Sequence, residues 1–382
     1  MNLLCFSLMT SIMASGCAAY CALWLVWLAY IMRRLATRAG APAPVPLPAP
    51  LPRVSIFIAA RNEEAALPRC LASVRALNYP AHLLEVLVGD DSSTDRTRAV
   101  AEAAMQGFAG SFKVVTITDT LGQARGKANV LAHLAHLATT AYWLLTDADI
   151  AVPTTWVQGL LAHAAPRVGT VTGLTVVQGP SLLAKLQGVD WLLSLASIQV
   201  ATDSGQPMTA MGNNMLVTRA AYQATGGYEA MPATIIEDFA LFEAVNAQGY
   251  GFRQLFEPAV RASSLPAGAW AALLRQRLRW VRGVAALPRR VQVALVLFSG
   301  YWVAVVGLLL LGRPAWALGA MVLKIGVQAL MLRVATRRAG LPMPAAPVVV
   351  GYEFFSLALT THLALSRLLG PRRVEWKGRQ YY

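Results

Sequence analysis

The first 32 residues carry no charged side chain, and the apolar run through Leu23-Trp-Leu-Val-Trp-Leu28 is long enough to cross a bilayer. Arg33, Arg34 and Arg38 follow it. The positive-inside bias then sets the chain after the run in the cytosol. The run has no basic leader and is too long for a cleaved signal, so residues 1–32 read as a retained anchor. Proline takes every second position from Pro42 to Pro52. Residues 33–52 are therefore expected to be a basic, Pro-rich linker in extended polyproline form.

From Arg53 the pattern changes to short apolar runs alternating with helical stretches. Strands are expected over 54–58, 83–88, 113–118 and the run starting at Tyr142, with helices over 65–77, 96–105 and 127–137. Such alternation predicts an α/β, Rossmann-like domain with a doubly wound, mostly parallel sheet, here over 53–267. Further on, 173–177 reads as a strand, 182–200 as an amphipathic segment that rests on the domain or the membrane, and 239–248 as a helix. Residues 268–290 mix Trp, Leu and six arginines from Trp270 on and read as an interfacial helix. Apolar runs over 291–312 and 315–332, the second carrying Lys324, are membrane spans. A third, over 347–366, is interrupted by Gly351 and Glu353, so that it either crosses or stays re-entrant. Residues 367–382 form a basic, aromatic tail. On charge grounds it is expected on the cytosolic side, where it lies along the membrane.

Composition agrees with membrane segments: 56% of residues are hydrophobic, 14% are charged, and the mean hydropathy is +0.49. The net charge of +14 is unevenly placed. From Arg261 onward there are 17 Lys and Arg against 2 Asp and Glu, while the rest of the chain is nearly balanced. Basic residues that flank apolar spans suit an anionic membrane surface or a phosphate-bearing ligand, and argue against nucleic acid. The four cysteines show no metal-binding or disulfide spacing and read as small apolar residues.

The candidate chemistry lies at strand ends. The run from Tyr142 ends in Asp147 and Asp149. Carboxylates at i and i+2 beyond a strand can converge on a hard cation, Mg²⁺ or Mn²⁺, or can simply cap a turn. The 83–88 strand ends in Asp90 and Asp91, acceptor-only groups suited to reading a donor edge of a ligand, or to capping the next helix. Lys127 follows Gly126 at a helix start, a place for a phosphate or for a solvated lysine. Glu237 and Asp238 open a helix, where acids are also favoured by the dipole alone.

Taken together, Arg61-Asn-Glu-Glu64, Gly89-Asp-Asp-Ser-Ser-Thr-Asp95, Gly126-Lys-Ala-Asn129, Asp147-Ala-Asp149, Ile236-Glu-Asp238 and Gln276-Arg-Leu-Arg-Trp280 resemble a membrane-integrated family 2 glycosyltransferase of the GT-A fold. The closing Glu375-Trp-Lys-Gly-Arg-Gln-Tyr-Tyr382 is similar to the ending of some bacterial members that glycosylate carotenoids and other membrane lipids. The resemblance implies an inverting transfer of one sugar from a nucleotide-sugar donor, UDP-linked, to a membrane lipid acceptor. It implies Asp238 as general base, preferred over Glu237. Asn62, Glu63, Asp90, Asp91, Lys127 and Asp147 would bind the donor, and Asp149 with Asp147 the metal. Gln276, Arg279 and Trp280 share one helical face; Arg279 would reach the diphosphate and Trp280 the acceptor, while Arg275, Arg277 and Arg282 would be plain membrane-surface arginines. A processive polysaccharide synthase shares the Gln-x-x-Arg-Trp motif but needs more spans than the two or three expected here. A non-catalytic membrane scaffold would not need the full set of acids.

Overall fold

The computed structural model describes residues 3–37, 43–206, 210–234, 236–283, 289–369, 374–376 and 379–381. In chain order the elements are α1 (Leu3–Thr37), β1 (Val54–Ala60), α2 (Leu67–Arg75), β2 (Leu84–Asp90), α3 (Thr97–Ala104), β3 (Ser111–Thr116), α4 (Lys127–Leu137), β4 (Tyr142–Asp147), β5 (Ile150–Ala151), α5 (Trp156–Leu161), β6 (Val168–Thr172), β7 (Thr175–Val177), α6 (Leu182–Asp203), β8 (Asn214–Thr218), α7 (Arg219–Ala224), α8 (Gly227–Ala230), α9 (Glu237–Ala247), β9 (Gly251–Gln254), β10 (Ala262–Ser264), α10 (Trp270–Gly283), α11 (Arg289–Ser299), α12 (Tyr301–Leu310), α13 (Pro314–Ala339), α14 (Ala346–Leu369), β11 (Val374–Trp376) and β12 (Arg379–Tyr381). They fall into two compact units, an α/β unit (40–179, 201–266 and 372–382) and a helical unit (1–39, 180–200 and 267–371). Residues 180–200 thus leave the continuous 53–267 domain expected from sequence and group with the helices.

Strand residues of the α/β unit alternate between two apolar layers. Val54, Ile56, Ile58, Val86, Val88 and Leu144 pack with Leu67, Leu71 and Val74 of α2 and Ala101 of α3. Phe57, Leu87, Trp143 and Leu145 pack on the other face with Val130, Leu131 and Leu134 of α4. A sheet covered on both faces needs near-continuous apolar strands, which is why these runs are legible. The sheet order is β3-β2-β1-β4-β8-β6-β9, with β8 antiparallel to both its neighbours and every other pairing parallel. This is the doubly wound, mostly parallel sheet expected. At Gly89 a Cβ would lie 2.2 Å from Val130 Cγ1, so glycine lets α4 seat against β2. Asn214 ties the far half together. Its side chain is fully buried, donates to Leu174 O (3.0 Å) and Val260 O (2.8 Å), and accepts from Trp156 Nε1 (2.8 Å).

Two expectations shift here. The third strand is 111–116 instead of 113–118. It is a half-exposed edge strand, and its alternation is correspondingly weak. The described part of the Pro-rich linker is docked, not a free spacer. Val45 N–H donates to Ala162 O (2.7 Å), Tyr79 Oη donates to Pro52 O (2.6 Å), and Leu47 and Leu51 join the apolar layer. The non-proline positions of the alternating stretch supply the apolar side chains and the spare N–H.

Among the described residues of the helical unit, four helical stretches are long and apolar enough to cross a membrane, within Cys5–Thr37, Gln292–Leu310, Pro314–Ala339 and Ala346–Ser366. Their outward faces are apolar, with Phe6, Ile12, Leu23, Val303, Leu318 and Val322 exposed. The chain is a membrane-associated protein on these grounds. The run expected over 291–312 is two helices broken at Gly300, where a Cβ would meet Tyr20 Oη at 2.6 Å. The third run is one unbroken helix. Glu353, which reads as an interruption, is the buried partner of Lys324, the charge in the preceding span. The expected 270–290 helix is described to Gly283; 284–288 lie outside the described residues. In the tail, β11 and β12 form a short antiparallel pair.

Candidate active site

Because β1 to β4 run parallel, their following loops emerge along one edge of the sheet. The first two loops are sewn together. Asn62, at φ 53°, accepts the Thr94 N–H on Oδ1 (2.8 Å) and donates its own N–H to Ser93 Oγ (2.9 Å). Glu63 N–H donates to Thr97 Oγ1 (2.8 Å) and Glu64 N–H to Asp95 Oδ2 (3.1 Å). Asp90 Oδ1 accepts the Ser93 N–H (3.0 Å) and closes the turn. Arg61 Nη1 donates to Asp91 O (2.8 Å) and lies 3.6 Å from Asp91 Oδ2. Asn62 and Asp90, expected as donor ligands, also shape the loop. Asp91 is a carboxylate 8% exposed beside an arginine.

β4 brings Asp147 to the same edge, and Asp149 follows. Lys127 Nζ lies 2.6 Å from Asp147 Oδ1 and 3.2 Å from Glu237 Oε1, joining the end of β4 to the start of α9. Burial alone would lower the Lys127 pKa. The charges of Asp147, Glu237 and Asp238 outweigh it and hold the ammonium well above its usual range. Lys127, expected to take a phosphate, is in this structure the counter-charge of the acids.

Burial, then Asp147 and Glu63, push the Asp149 carboxyl up to about 6. Its backbone is fixed by Arg69, whose Nη1 donates to Asp149 O (3.1 Å) and Nη2 to Ser263 O (3.1 Å). Carboxylates that raise one another are relieved by a cation. Among the described residues no group of three or more His, Cys, Asp or Glu is arranged to hold a metal unaided. Asp147 and Asp149 match the one or two carboxylates with which a protein holds Mg²⁺ when substrate phosphates supply further oxygens. The donor set fits an ion that comes with a diphosphate.

α9 opens with the two acids. Asp238 Oδ1 accepts the Phe239 N–H and Oδ2 the Gly212 N–H, both at 2.9 Å, which fixes the carboxylate plane. A Cβ at Gly212 would stand 2.6 Å from Asp238 Cβ, so this contact needs glycine. Burial pushes the Glu237 carboxyl up against the pull of Lys127. Nearby Tyr228 has a buried hydroxyl with no hydrogen-bond partner among the described residues. Burial, then Glu237, keeps it protonated. Tyr228 and Arg69 carried no signal in the sequence.

Gln276, Arg279 and Trp280 belong to the helical unit. Trp280 stacks on Trp191 with centroids 4.9 Å apart. Arg277, expected to be a surface arginine, has a side chain only 12% exposed. It pairs with Asp190 at 2.6 Å and lies 4.5 Å over Trp280 and 5.2 Å over Trp191. Asp190, an acid in the middle of a long apolar helix, was the available signal for this pairing.

Comparison with known proteins bears on the family and the fold. The family described as glycosyl transferase family 21 matches residues 8–382. The chain is 29% identical over 238 residues to a beta-monoglucosyldiacylglycerol synthase of Nostoc sp. (strain PCC 7120 / SAG 25.82 / UTEX 2576), covering 60% of this chain and 48% of the relative. It is 28% identical over 202 residues to a 4,4'-diaponeurosporenoate glycosyltransferase of Staphylococcus aureus (strain USA300), covering 51% and 52%. The chain spans about half the length of the curated relatives it matches. A solved mannosyltransferase from Pyrobaculum calidifontis, in complex with GDP-Man and Mn²⁺, aligns with a TM-score of 0.58 at 18% identity, over 94% of this chain and 99% of that one. That likeness shows a shared fold.

Proposed function

The chain belongs to glycosyl transferase family 21, and from that premise we propose that it moves one sugar from a nucleotide-sugar donor, UDP-linked, to a hydroxyl of a membrane lipid with inversion at the anomeric carbon. The observation that carries this reading is the single charge network in which Lys127 joins Asp147 to Glu237, with Asp149 and Asp238 each one or two residues away. The names of the relatives, which include lipid glucosyl transfer, support the acceptor class.

In this reading the stitched loops after β1 and β2, with Asp91 and Glu63, receive the nucleoside. Asp147 and Asp149 hold the divalent ion, Mg²⁺ or Mn²⁺, which when bound offsets charge on the departing diphosphate. Lys127 pairs with both Asp147 and Glu237 and holds the two carboxylates in place. Asp238 accepts the acceptor proton as that oxygen attacks; its two backbone N–H bonds aim the carboxylate and leave lone pairs for the incoming hydroxyl. One base within hydrogen-bond reach suffices for a single displacement. Gln276, Arg279 and Trp280 remain assigned to the diphosphate and the acceptor by motif alone. We place the protein in the bacterial inner membrane with the α/β unit cytosolic, on the charge flanking the first span.

The test is to incubate membranes carrying the protein with labelled nucleotide sugars and to extract the lipids. Label should enter a single-sugar lipid. Label in a long, lipid-free polymer would favour a polysaccharide synthase, and no transfer from any donor would refute the reading.

A further inference from the structure

The helical unit has two acids, Asp190 and Glu353, and both are engaged. Asp190 pairs with Arg277 at 2.6 Å, and Glu353 pairs with Lys324. No carboxylate of the unit is left over for Arg333 and Arg337, which are exposed near the end of α13. Arg338 is used otherwise: its Nη1 donates to Leu35 O of α1 (3.0 Å). That bond sets this end of α13 beside the end of α1 that carries Arg33 and Arg34, the end assigned above to the cytosolic side.

A helix C-terminus attracts cations, and so does the cytosolic side of a span, so the charge by itself calls for no ligand. Two further features do. The last carbonyls of α13 are already satisfied by backbone, that of Arg337 by the Gly340 N–H (3.2 Å) and that of Thr336 by the Leu341 N–H (2.8 Å), so the guanidinia are not needed to cap the helix. In addition, Arg333 and Arg337 line a groove of about 440 Å³ that also takes in Gly326, Ala329 and Leu330. These five positions follow helical spacing and share one face of α13. At 1.5 Å per residue, that face runs for about 16 Å from Gly326 to Arg337. Leu341 and Met343, in the loop after the helix, line the groove as well. A Cβ at Gly326 would meet no atom within 4 Å, so the groove is open there.

The groove is cationic at one end and apolar along the rest, with Leu330 52% and Met343 43% exposed. Two guanidinia one turn apart offer forked donors that match phosphate oxygens. An inorganic phosphate would occupy the cationic end and leave the apolar face wet. A phosphodiester carrying an acyl chain covers both. α13 is long enough to span a bilayer, and Arg333 and Arg337 lie in its last two turns, at the depth of phospholipid headgroups. Basic pockets at the cytosolic ends of spans suit anionic headgroups. We propose that this groove binds one anionic phospholipid, with its phosphate on Arg333 and Arg337 and an acyl chain along Leu330, Ala329 and Gly326. The lipid is a bound partner of the helical unit and not the sugar acceptor, so the site stands or falls independently of the transfer chemistry.

The experiment uses the full chain in phosphatidylcholine nanodiscs doped with a photoreactive phosphatidylglycerol. In wild type the probe should cross-link between Gly326 and Met343. Unlabelled phosphatidylglycerol should compete, whereas inorganic phosphate and diacylglycerol should not. Arg333→Gln plus Arg337→Gln should cut this labelling by about tenfold or more, the scale of two lost cations at a membrane surface. Arg333→Lys plus Arg337→Lys keeps the charge and should retain most of the labelling, which separates lost charge from lost fold. Gly326→Leu adds bulk where no neighbour stands and should lower labelling severalfold. Arg33→Gln removes an exposed charge at the same end but outside the groove, and should change little. Unchanged labelling in the glutamine pair or in Gly326→Leu would overturn the inference. So would an equal fall in Arg33→Gln, which would mark general surface charge, or competition by inorganic phosphate, which would mark a soluble anion.

Discussion

Lys127→Met removes the ammonium that joins Asp147 to Glu237 and keeps an unbranched stem of similar length. At 2.6 and 3.2 Å, and an effective dielectric of about 20, the two attractions are worth about 6 and about 5 kcal/mol before desolvation. Burying the charges takes back most of that. Removing one partner of a buried pair costs about 3–5 kcal/mol, because the acids left behind are uncompensated. Asp147 is one-third exposed, so water recovers part of the loss and the lower end, about 3 kcal/mol, applies. Hydrogen exchange on the full chain in nanodiscs reads this locally. Amides of β4 and α4 that open with the whole α/β unit should exchange roughly 100-fold faster in the variant, since about 1.4 kcal/mol is a factor of ten. Mg²⁺ should restore more protection to the variant than it adds to wild type, because it supplies the missing positive charge. Unchanged exchange in Lys127→Met, or equal Mg²⁺ effects in both proteins, would refute the hub.

Other consequences are direct. Chelation by EDTA should abolish transfer and Mg²⁺ or Mn²⁺ restore it, whereas Asp149→Ala should not recover at any metal concentration; full activity in EDTA would remove the metal from the account. Gly212→Ala forces a methyl to within 2.6 Å of Asp238 Cβ, so kcat should fall at least about tenfold with little change in nucleotide affinity; normal kcat would mean that the position of Asp238 is not critical. A reporter fused just after Pro52 should read as cytosolic, and periplasmic activity would overturn the proposed orientation.

The sheet was legible because strands covered on both faces are mostly apolar, and Val54–Ala60, Leu84–Asp90 and Tyr142–Asp147 are so apart from Ser55, Glu85, Thr146 and the acids at their ends. The strand-end acids were legible because charge abruptly following such a run has to face a loop. What was not legible is pairing across the sequence. Lys127 and Glu237 are 110 positions apart, and nothing local distinguishes an ion-pair hub from a phosphate ligand. Lys324 and Glu353 each look like a flaw in an apolar run until the two helices are brought side by side. Arg277 looked like one more surface arginine because its partner, Asp190, lies in a helix whose apolar composition fits a domain face and a membrane equally well. The half-exposed edge strand Ser111–Thr116 was shifted by two residues for the opposite reason, a pattern too weak to set its start.

On the proposed mechanism Asp238 accepts a proton during sugar transfer and does not merely cap α9. Asp238→Asn keeps the shape and the acceptor oxygen for one backbone N–H but cannot take the proton. The direct measurement is turnover of labelled nucleotide sugar into lipid beside UDP affinity by titration, for Asp238→Asn and Glu237→Gln together. In Asp238→Asn kcat should fall about 10²–10⁴-fold with UDP affinity nearly unchanged, and Glu237→Gln should lose less. Near-normal turnover in Asp238→Asn with a collapse in Glu237→Gln would move the base to Glu237. Near-normal turnover in both would mean that neither acid is the base and that the pair only caps α9.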